Sequence, residues 1–399
     1  MMNCPQPRPS NVFHDQVDSS EPRVSFIVPC YKLGHLLPEC IDSILAQTYE
    51  NFEVLIMDDC SPDHTPEVAR SFRDARVIHV RNQSNLGHLR NYNTGIGLAR
   101  GEYIWLISAD DRLRRSYALE RYIAAMDANP AAGFVFCPGV ALHEGRETHV
   151  LQYSVHGTAN RLFKGREIFL KLLKGNSILA AAGMVRREAY DRVGRFPLDL
   201  PFSGDWYLWL MFSLHFDALY IAEPMVNYRY HELAMSNALA QQDVRICSRN
   251  DLALLWRICE YVEELDDKEL LMHSVDAIAS HYGDQLASKP YRGGSRGSMT
   301  LDQFEASLSQ HPNRSHDLRI RSRAFAVAAD RFYWIGQLAH AREFCLRALQ
   351  EDPWMARVWA KYLLLRAGAA GNYARQLNIR LKHALSRARR SRPGASISS

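Results

Sequence analysis

Short, continuous apolar runs alternate with amphipathic stretches from residue 24 onward. Residues 24–29, reading VSFIVP, are apolar on both faces and predict a buried strand. Residues 36–47 place Leu37, Cys40, Ile41, Ile44 and Leu45 on one side at helical spacing and predict an amphipathic helix. The rhythm continues with strands over 52–57, 77–80, 103–107 and 134–137, and helices over 66–73, 88–100 and 117–128. Strand and helix in alternation specify a mostly parallel sheet covered by helices, so the predicted class is α/β.

Beyond residue 137 the rhythm loosens into segments 168–173, 178–184 and the aromatic run 205–216, with strands near 219–222 and 226–231 closing this part. From about residue 241 the pattern changes to long amphipathic helices, 244–264 and 268–288, followed by the Gly/Ser/Arg-rich hinge KPYRGGSRGS at 289–298. Helices over 318–334 and 337–349, with Gly336 between them, and a third over 355–365 resemble a single tetratricopeptide-like unit. One unit is short of the roughly three that a repeat domain needs. The expected organisation is a leader at 1–22, an α/β domain at 23–240, a helical extension at 241–288, the hinge, a helical hairpin region at 299–373 and a basic tail at 374–399. Arg375, Arg380, Lys382, Arg387, Arg389, Arg390 and Arg392 make that tail suited to peripheral contact with an anionic membrane face.

Composition narrows the class without naming a function. With 399 residues, 47% of them hydrophobic and 23% charged, the chain has material for a large core and is neither fibrous nor wholly disordered. A formal net charge of +4 is too small to call for nucleic acid. Eight cysteines without a CxxC pair or zinc-like spacing read as reduced thiols. No apolar run reaches the roughly 18 residues of a membrane span, and the leader lacks the apolar segment of a signal peptide, so a cytoplasmic location is expected.

Ligands of open parallel sheets bind at the carboxyl ends of the strands. There the chain places Pro29-Cys30-Tyr31 after the first strand and Asp58-Asp59 after the second. Asn85-Leu86-Gly87 follows the third, and Asp110-Asp111 the fourth. Two acidic clusters facing one crevice repel each other unless a cation sits between them, and Mg2+ or Mn2+ suits carboxylates and a diphosphate. Neither GxGxxG nor GxxxxGK[ST] is present, so phosphate would have to be held through metal.

Four ordered motifs carry a resemblance. VSFIVPCYKLGHLLPECIDSILAQTYENFEVLIMDDCSPD, NLGHLRNYNTGIGLARGEYIWLISADD, SGDWYLWLMFSLHF and YRYHELAMSN together resemble family 2 glycosyltransferases of the GT-A fold. The resemblance implies a GT-A-type nucleotide-binding sheet flanked by helices and followed by an all-helical C-terminal region. It implies that Pro29, Tyr31, Asp58 and Asp59 hold the base and ribose of a nucleotide-diphosphate-sugar donor. Asn85, Gly87 and Asn93 would line the ribose or sugar, with Tyr92 standing where Arg is frequent. SADD aligned on DSDD makes Asp110 the principal metal ligand, with Asp111 in support and Ser108 where an acid usually stands. Asp205 in Gly-Asp-Trp would be the base, with Gly204 in place of the usual Glu and with Trp206 and Trp209 as candidates for an acceptor platform. His231 would approach the metal, and Arg229 the diphosphate.

The implied function is inverting, metal-dependent sugar transfer to a saccharide or lipid-linked acceptor in bacterial cell-surface polysaccharide synthesis. Two competing readings are a decayed scaffold that uses its helical appendage to recruit a partner, and a nucleotidyltransferase. A scaffold has no use for Asp59, Asp110 and Asp205 together. A nucleotidyltransferase calls for a glycine-rich basic loop after the first strand, where only Lys32 stands.

Overall fold

A computed structural model describes residues 21–231, 234, 246–287, 299–368, 372, 375 and 376. The hinge at 289–298 and nearly all of the leader and basic tail lie outside the described residues. The chain divides into two compact units, one comprising residues up to 163, 178–195 and 215–229, the other 164–177, 196–214 and 230 onward.

The first unit is built on strands β1 (Val24–Cys30), β2 (Phe52–Asp58), β3 (Val77–Arg81) and β4 (Tyr103–Leu106), with helices α1 (Leu37–Leu45), α2 (Thr65–Ser71) and α3 (His88–Leu98) between them. The chain continues through β5 (Arg112–Leu113), α4 (Ala118–Asp127), β6 (Ala132–Phe136), β7 (Gly139–His143), β8 (Arg146–Val150) and β9 (Arg161–Phe163). After α5 (Gly165–Leu172), which belongs to the second unit, come β10 (Met184–Arg186), α6 (Arg187–Val193), α7 (Gly204–His215), which also belongs to the second unit but for its last residue, β11 (Asp217–Tyr220) and β12 (Val226–Arg229). The main sheet has the order β3-β2-β1-β4-β10-β6-β11-β9, and a smaller sheet runs β5-β12-β7-β8. β1 pairs in parallel with both β2 and β4. Strand order therefore reverses at β1, which opens a crevice at the carboxyl ends of these three strands.

Residue choice explains these elements. Every residue of β1 and β2 is buried, as expected for central strands covered on both faces, whereas β3 at the sheet edge is half exposed. α1 buries Leu37, Cys40, Ile41 and Ile44, the stripe that the sequence predicts, and begins with Pro38 where a missing N–H costs nothing. α3 can lie close to the sheet because Gly95 lacks a Cβ, which would stand 2.6 Å from Ile27 Cγ2. The core centres on stacked rings, Phe26 on Trp105 at 5.4 Å and Trp105 on Tyr122 at 4.5 Å. The polar tips of Trp105 and Tyr122 donate to the carbonyls of Ala181 and Ala182.

The buried acid Glu53 in β2 accepts from Ser25 Oγ and from the Arg100 backbone and guanidinium, at 2.6–2.9 Å. The Arg100 side chain is 55% exposed, so removal of Glu53 returns that charge to water instead of stranding it. Glu53→Ala is therefore expected to cost the lost hydrogen bonds, about 1–3 kcal/mol, and less than the breaking of a fully buried pair. A urea midpoint lowered at constant slope is the expected readout.

The β7–β8 hairpin, absent from the sequence reading, pairs Leu142 with Glu147 and His143 with Arg146 around Glu144-Gly145. β8 is largely polar and exposed, so it carries no apolar run to betray it.

The second unit contains α8 (Ile246–Glu264), α9 (Lys268–Leu286), α10 (Leu301–Gln310), α11 (Asp317–Ile335), α12 (Leu338–Glu351) and α13 (Ala356–Arg366). A ladder of edge-on rings, Tyr282, Phe304, Phe325 and Phe344, links α9 through α12. Gly336 ends α11 in the left-handed conformation, where glycine carries no Cβ penalty. Among the described residues no helix is long and apolar enough to cross a membrane, and no disulfide is present.

Candidate active site

The register of β1 against its neighbours assembles the crevice. Asp59 N–H donates to Cys30 O, and Ala109 N–H to Pro29 O. The ends of β2 and β4 thus flank the segment Pro29–Tyr31. Tyr31 is 40% exposed, with Lys32 Nζ 5.2 Å from its ring centroid, and offers a face on which a base can stack. Lys32 and Cys60 both adopt positive φ, 59° and 58°. Such backbone costs of order 1–3 kcal/mol each and clusters where ligands are held.

Asp58 and Asp59 are buried and bonded to the chain's own donors. Asp58 accepts from Ser61 N–H at 2.8 Å and from Arg81 at 2.7 Å, with His79 Nε2 at 3.4 Å. Asp59 accepts from Asn82 and from the N–H groups of Leu86 and Gly87, at 2.8–3.0 Å. Gly87 N–H is shared with Asn85 Oδ1, and Gly87 takes φ 81° at the start of α3. The second acid therefore shapes the Asn85–Gly87 turn. Asn93 lies partly buried on α3, with its carbonyl accepting from Arg195 at 3.1 Å. Asp59→Ala leaves the Leu86 N–H without its acceptor and the Gly87 N–H with Asn85 Oδ1 alone, so a loss of about 1–3 kcal/mol is expected. Faster amide exchange at Leu86 and Gly87 is the local readout.

The second acidic pair is asymmetric. Asp111 is 6% exposed, and burial, reinforced by the Asp110 charge, pushes its carboxyl well above the usual range. It accepts the Arg229 N–H at 2.9 Å, while Arg229 Nε donates to Asp110 O at 2.7 Å. The same guanidinium pairs with Glu39, which also binds Arg112. Arg229, expected at a diphosphate, is thus a strut that fixes the Asp110–Asp111 turn, with Glu39 as its unforeseen anchor. A carboxyl pushed up by burial and by an adjacent negative charge fits a cation as neighbour. Among the described residues no group of three or more His, Cys, Asp or Glu side chains stands ready to hold a metal, so an ion at Asp110 would draw its other ligands from phosphate and water.

Asp205 and His231 belong to the second unit. Asp205 lies in the first turn of α7, where its Oδ1 accepts the Trp206 N–H at 2.7 Å and its Oδ2 accepts from Asn176 at 2.9 Å. Burial lifts its pKa to about 6, against these two hydrogen bonds and with a smaller upward push from Asp251. The turn before α7 is clamped by α8: Asn250 accepts the Phe202 N–H at 2.9 Å, and Asp251 accepts from Ser203 Oγ at 2.6 Å. Trp206 and Trp209 are each 5% exposed, and the Trp206 indole donates to Leu172 O. Neither presents the open stacking face expected of an acceptor platform, because both indoles pack into the apolar interior. His231 falls beyond the end of β12, outside any strand, with its carbonyl accepting from Ala234 N–H.

A parallel crevice with acidic strand ends at the reversal of strand order is that of a GT-A fold, and residues 25–194 match the family model described as glycosyl transferase family 2. Over these residues the chain is similar to family 2 of the glycosyltransferases. Among its relatives are the glycosyltransferase GlyG of Streptococcus pneumoniae, 34% identical over 28% of this chain and 38% of that one, and the uncharacterized glycosyltransferase EpsJ of Bacillus subtilis, 45% identical over 23% and 26%. These matches span less than half the length of either relative. The uncharacterized glycosyltransferase RT0329 of Rickettsia typhi is 27% identical over 63% of this chain and 75% of its own. The fold is shared with residues 1–349 of Staphylococcus aureus TarS, solved with UDP-GlcNAc, at a TM-score of 0.57 and 17% identity over 89% of this chain and 92% of that one.

Proposed function

We propose that the protein is an inverting glycosyltransferase that moves a sugar from a nucleotide-diphosphate donor to a saccharide or lipid-linked acceptor, with a divalent cation, in bacterial cell-surface polysaccharide synthesis. The observation that carries this reading is the convergence of Tyr31, Asp58-Asp59 and Asp110-Asp111 at the reversal point of strand order. TarS, the fold neighbour solved with UDP-GlcNAc, makes a sugar nucleotide the class to test first.

In this mechanism Tyr31 stacks on the base, and the turn shaped by Asp59 closes around the ribose. Asp110, braced by Arg229 and Asp111, would hold Mg2+ or Mn2+, which when bound supplies charge neutralisation for a departing diphosphate. Asp205 takes the proton of the acceptor hydroxyl as that oxygen forms its bond to the anomeric carbon and the bond to the diphosphate oxygen breaks. Attack opposite the leaving group inverts the anomeric centre, and one carboxylate suffices, unlike the pair used by most glycosidases. A pKa of about 6 keeps Asp205 mostly ionised at neutral pH while leaving it more basic than an ordinary aspartate.

The test is the stereochemistry of the product. Protein incubated with α-linked UDP- and GDP-sugars and candidate acceptors should yield a β-linked glycoside by NMR. An α-linked product overturns inversion, and no turnover of any donor under any metal overturns the transferase reading.

A further inference from the structure

Residues 353–399 carry ten Lys and Arg and no Asp or Glu, whereas residues 1–352 carry 38 Lys and Arg against 44 Asp and Glu. The chain's excess of positive charge is thus gathered in one segment, beside a remainder that is net acidic. A run without acids offers its cations no partner within itself, and such runs serve as interaction segments for anionic surfaces.

The start of that segment also presents apolar groups to solvent. Trp354 is 91% exposed, and Trp359 and Leu363, four residues apart on one face of α13, are 42% and 60% exposed. Tryptophan is on average a well-buried residue, and three large apolar groups along one short stretch differ from the singly scattered ones of an ordinary surface. They are also held in place. The Trp359 indole donates to Pro353 O at 2.8 Å, Trp354 N–H to Asp352 Oδ1 at 3.0 Å, and Ala356 N–H to Trp354 O at 2.8 Å. The turn that carries Trp354 is therefore fixed against the first turn of α13. Arg366 continues the face of Trp359 and Leu363, and, like Arg357, it is exposed with no acid paired to it among the described residues.

We propose that Trp354, Trp359 and Leu363, together with the basic residues of 353–399, dock this region on an anionic lipid bilayer. Indole rings settle at the boundary of headgroups and acyl chains, where an apolar body and a polar N–H are both satisfied, while arginines lie among the lipid phosphates. A nucleic acid would satisfy the arginines and leave Leu363 in water, and a second copy of this chain would set like charges against each other. The proposal goes beyond the transferase reading and stands without it. Only its corollary, an acceptor carried on lipid instead of free in solution, rests on that reading.

The experiment is co-sedimentation of the full-length protein with vesicles of phosphatidylcholine alone and of phosphatidylcholine mixed with phosphatidylglycerol. The protein should sediment with the mixed vesicles and not with phosphatidylcholine alone, and its tryptophan emission should shift to the blue on binding. Trp354→Ser with Leu363→Ser alters exposed side chains, so the melting temperature should stay in place while binding weakens about fivefold or more and most of the blue shift is lost. Arg387→Gln, Arg389→Gln and Arg390→Gln together should weaken binding about tenfold or more. No sedimentation with the mixed vesicles, or binding that the Trp354→Ser, Leu363→Ser variant retains in full, overturns the proposal. Tighter binding to duplex DNA than to the vesicles overturns it in favour of nucleic acid. A dimer in solution that the same double variant dissociates overturns it in favour of a second copy. Vesicle binding without turnover of any donor upholds it and counts against the transferase reading alone.

Discussion

Replacing Asp205 by Asn should lower kcat by roughly 10²–10⁴-fold, the usual contribution of a positioned general base, with little change in donor KM. Asn is close in shape, so Trp206 and Asn176 keep a neighbour and the fold is retained. Wild-type kcat/KM should rise with pH and level off above about 6, the pKa to which burial lifts this carboxyl. Asn250→Ala, which loosens the clamp on Phe202, should lower kcat while leaving that inflection nearly in place, whereas Asp251→Asn should move it downward by removing a nearby negative charge. The stability effect has the opposite sign to the activity effect. A carboxyl with a raised native pKa binds more protons folded than unfolded between about pH 4 and 6, so native stability falls as pH rises through that window. Asp205→Asn abolishes this loss, and the variant should melt no lower than the wild type at pH 8. A variant that is both inactive and markedly less stable would point to a merely structural aspartate.

The second large effect belongs to Asp110. Asp110→Ala should abolish the metal-dependent part of nucleoside diphosphate binding and lower turnover by roughly 10²–10³-fold, the several kcal/mol that a cation contributes to a leaving diphosphate. Asp111 should behave differently. Its carboxyl is held well above the usual range by burial and by Asp110, and its role is to accept the Arg229 N–H. Asp111→Asn keeps an acceptor there and should be tolerated in stability. Asp111→Ala strands that N–H and should cost about 1–3 kcal/mol. Calorimetric titration of UDP and GDP with and without Mn2+ separates the two residues.

Much of this arrangement was legible in the chain because buried parallel strands are written as continuous apolar runs and their ends as sharp polar breaks. VSFIVPC and FEVLIMD reveal both the strands and the crevice residues that follow them. Less was legible where a side chain acts through a distant partner. Glu39 lies on the first helix, 190 residues before the Arg229 that it anchors, and nothing local marks that pairing. Arg81 stands at a strand end beside Asp58, a position that could have drawn notice as a basic residue facing an acid. Asn250 and Asp251 carried a signal too, since two adjacent polar residues fall among the buried positions of an otherwise amphipathic helix. Asn176, in the exposed stretch KGNS, carried none. The aromatic run at 205–216 suggested a stacking platform, yet burial of Trp206 and Trp209 makes it core.

The measurement that bears most directly on the account is a thermal-shift titration of UDP, GDP and their sugars, with and without Mn2+, on the wild type and Asp110→Ala. Ligand that binds only the native state raises the melting temperature by mass action. The account predicts that one nucleoside diphosphate shifts the wild type when metal is present and that Asp110→Ala loses this shift. No shift with any nucleotide at any metal concentration would contradict it.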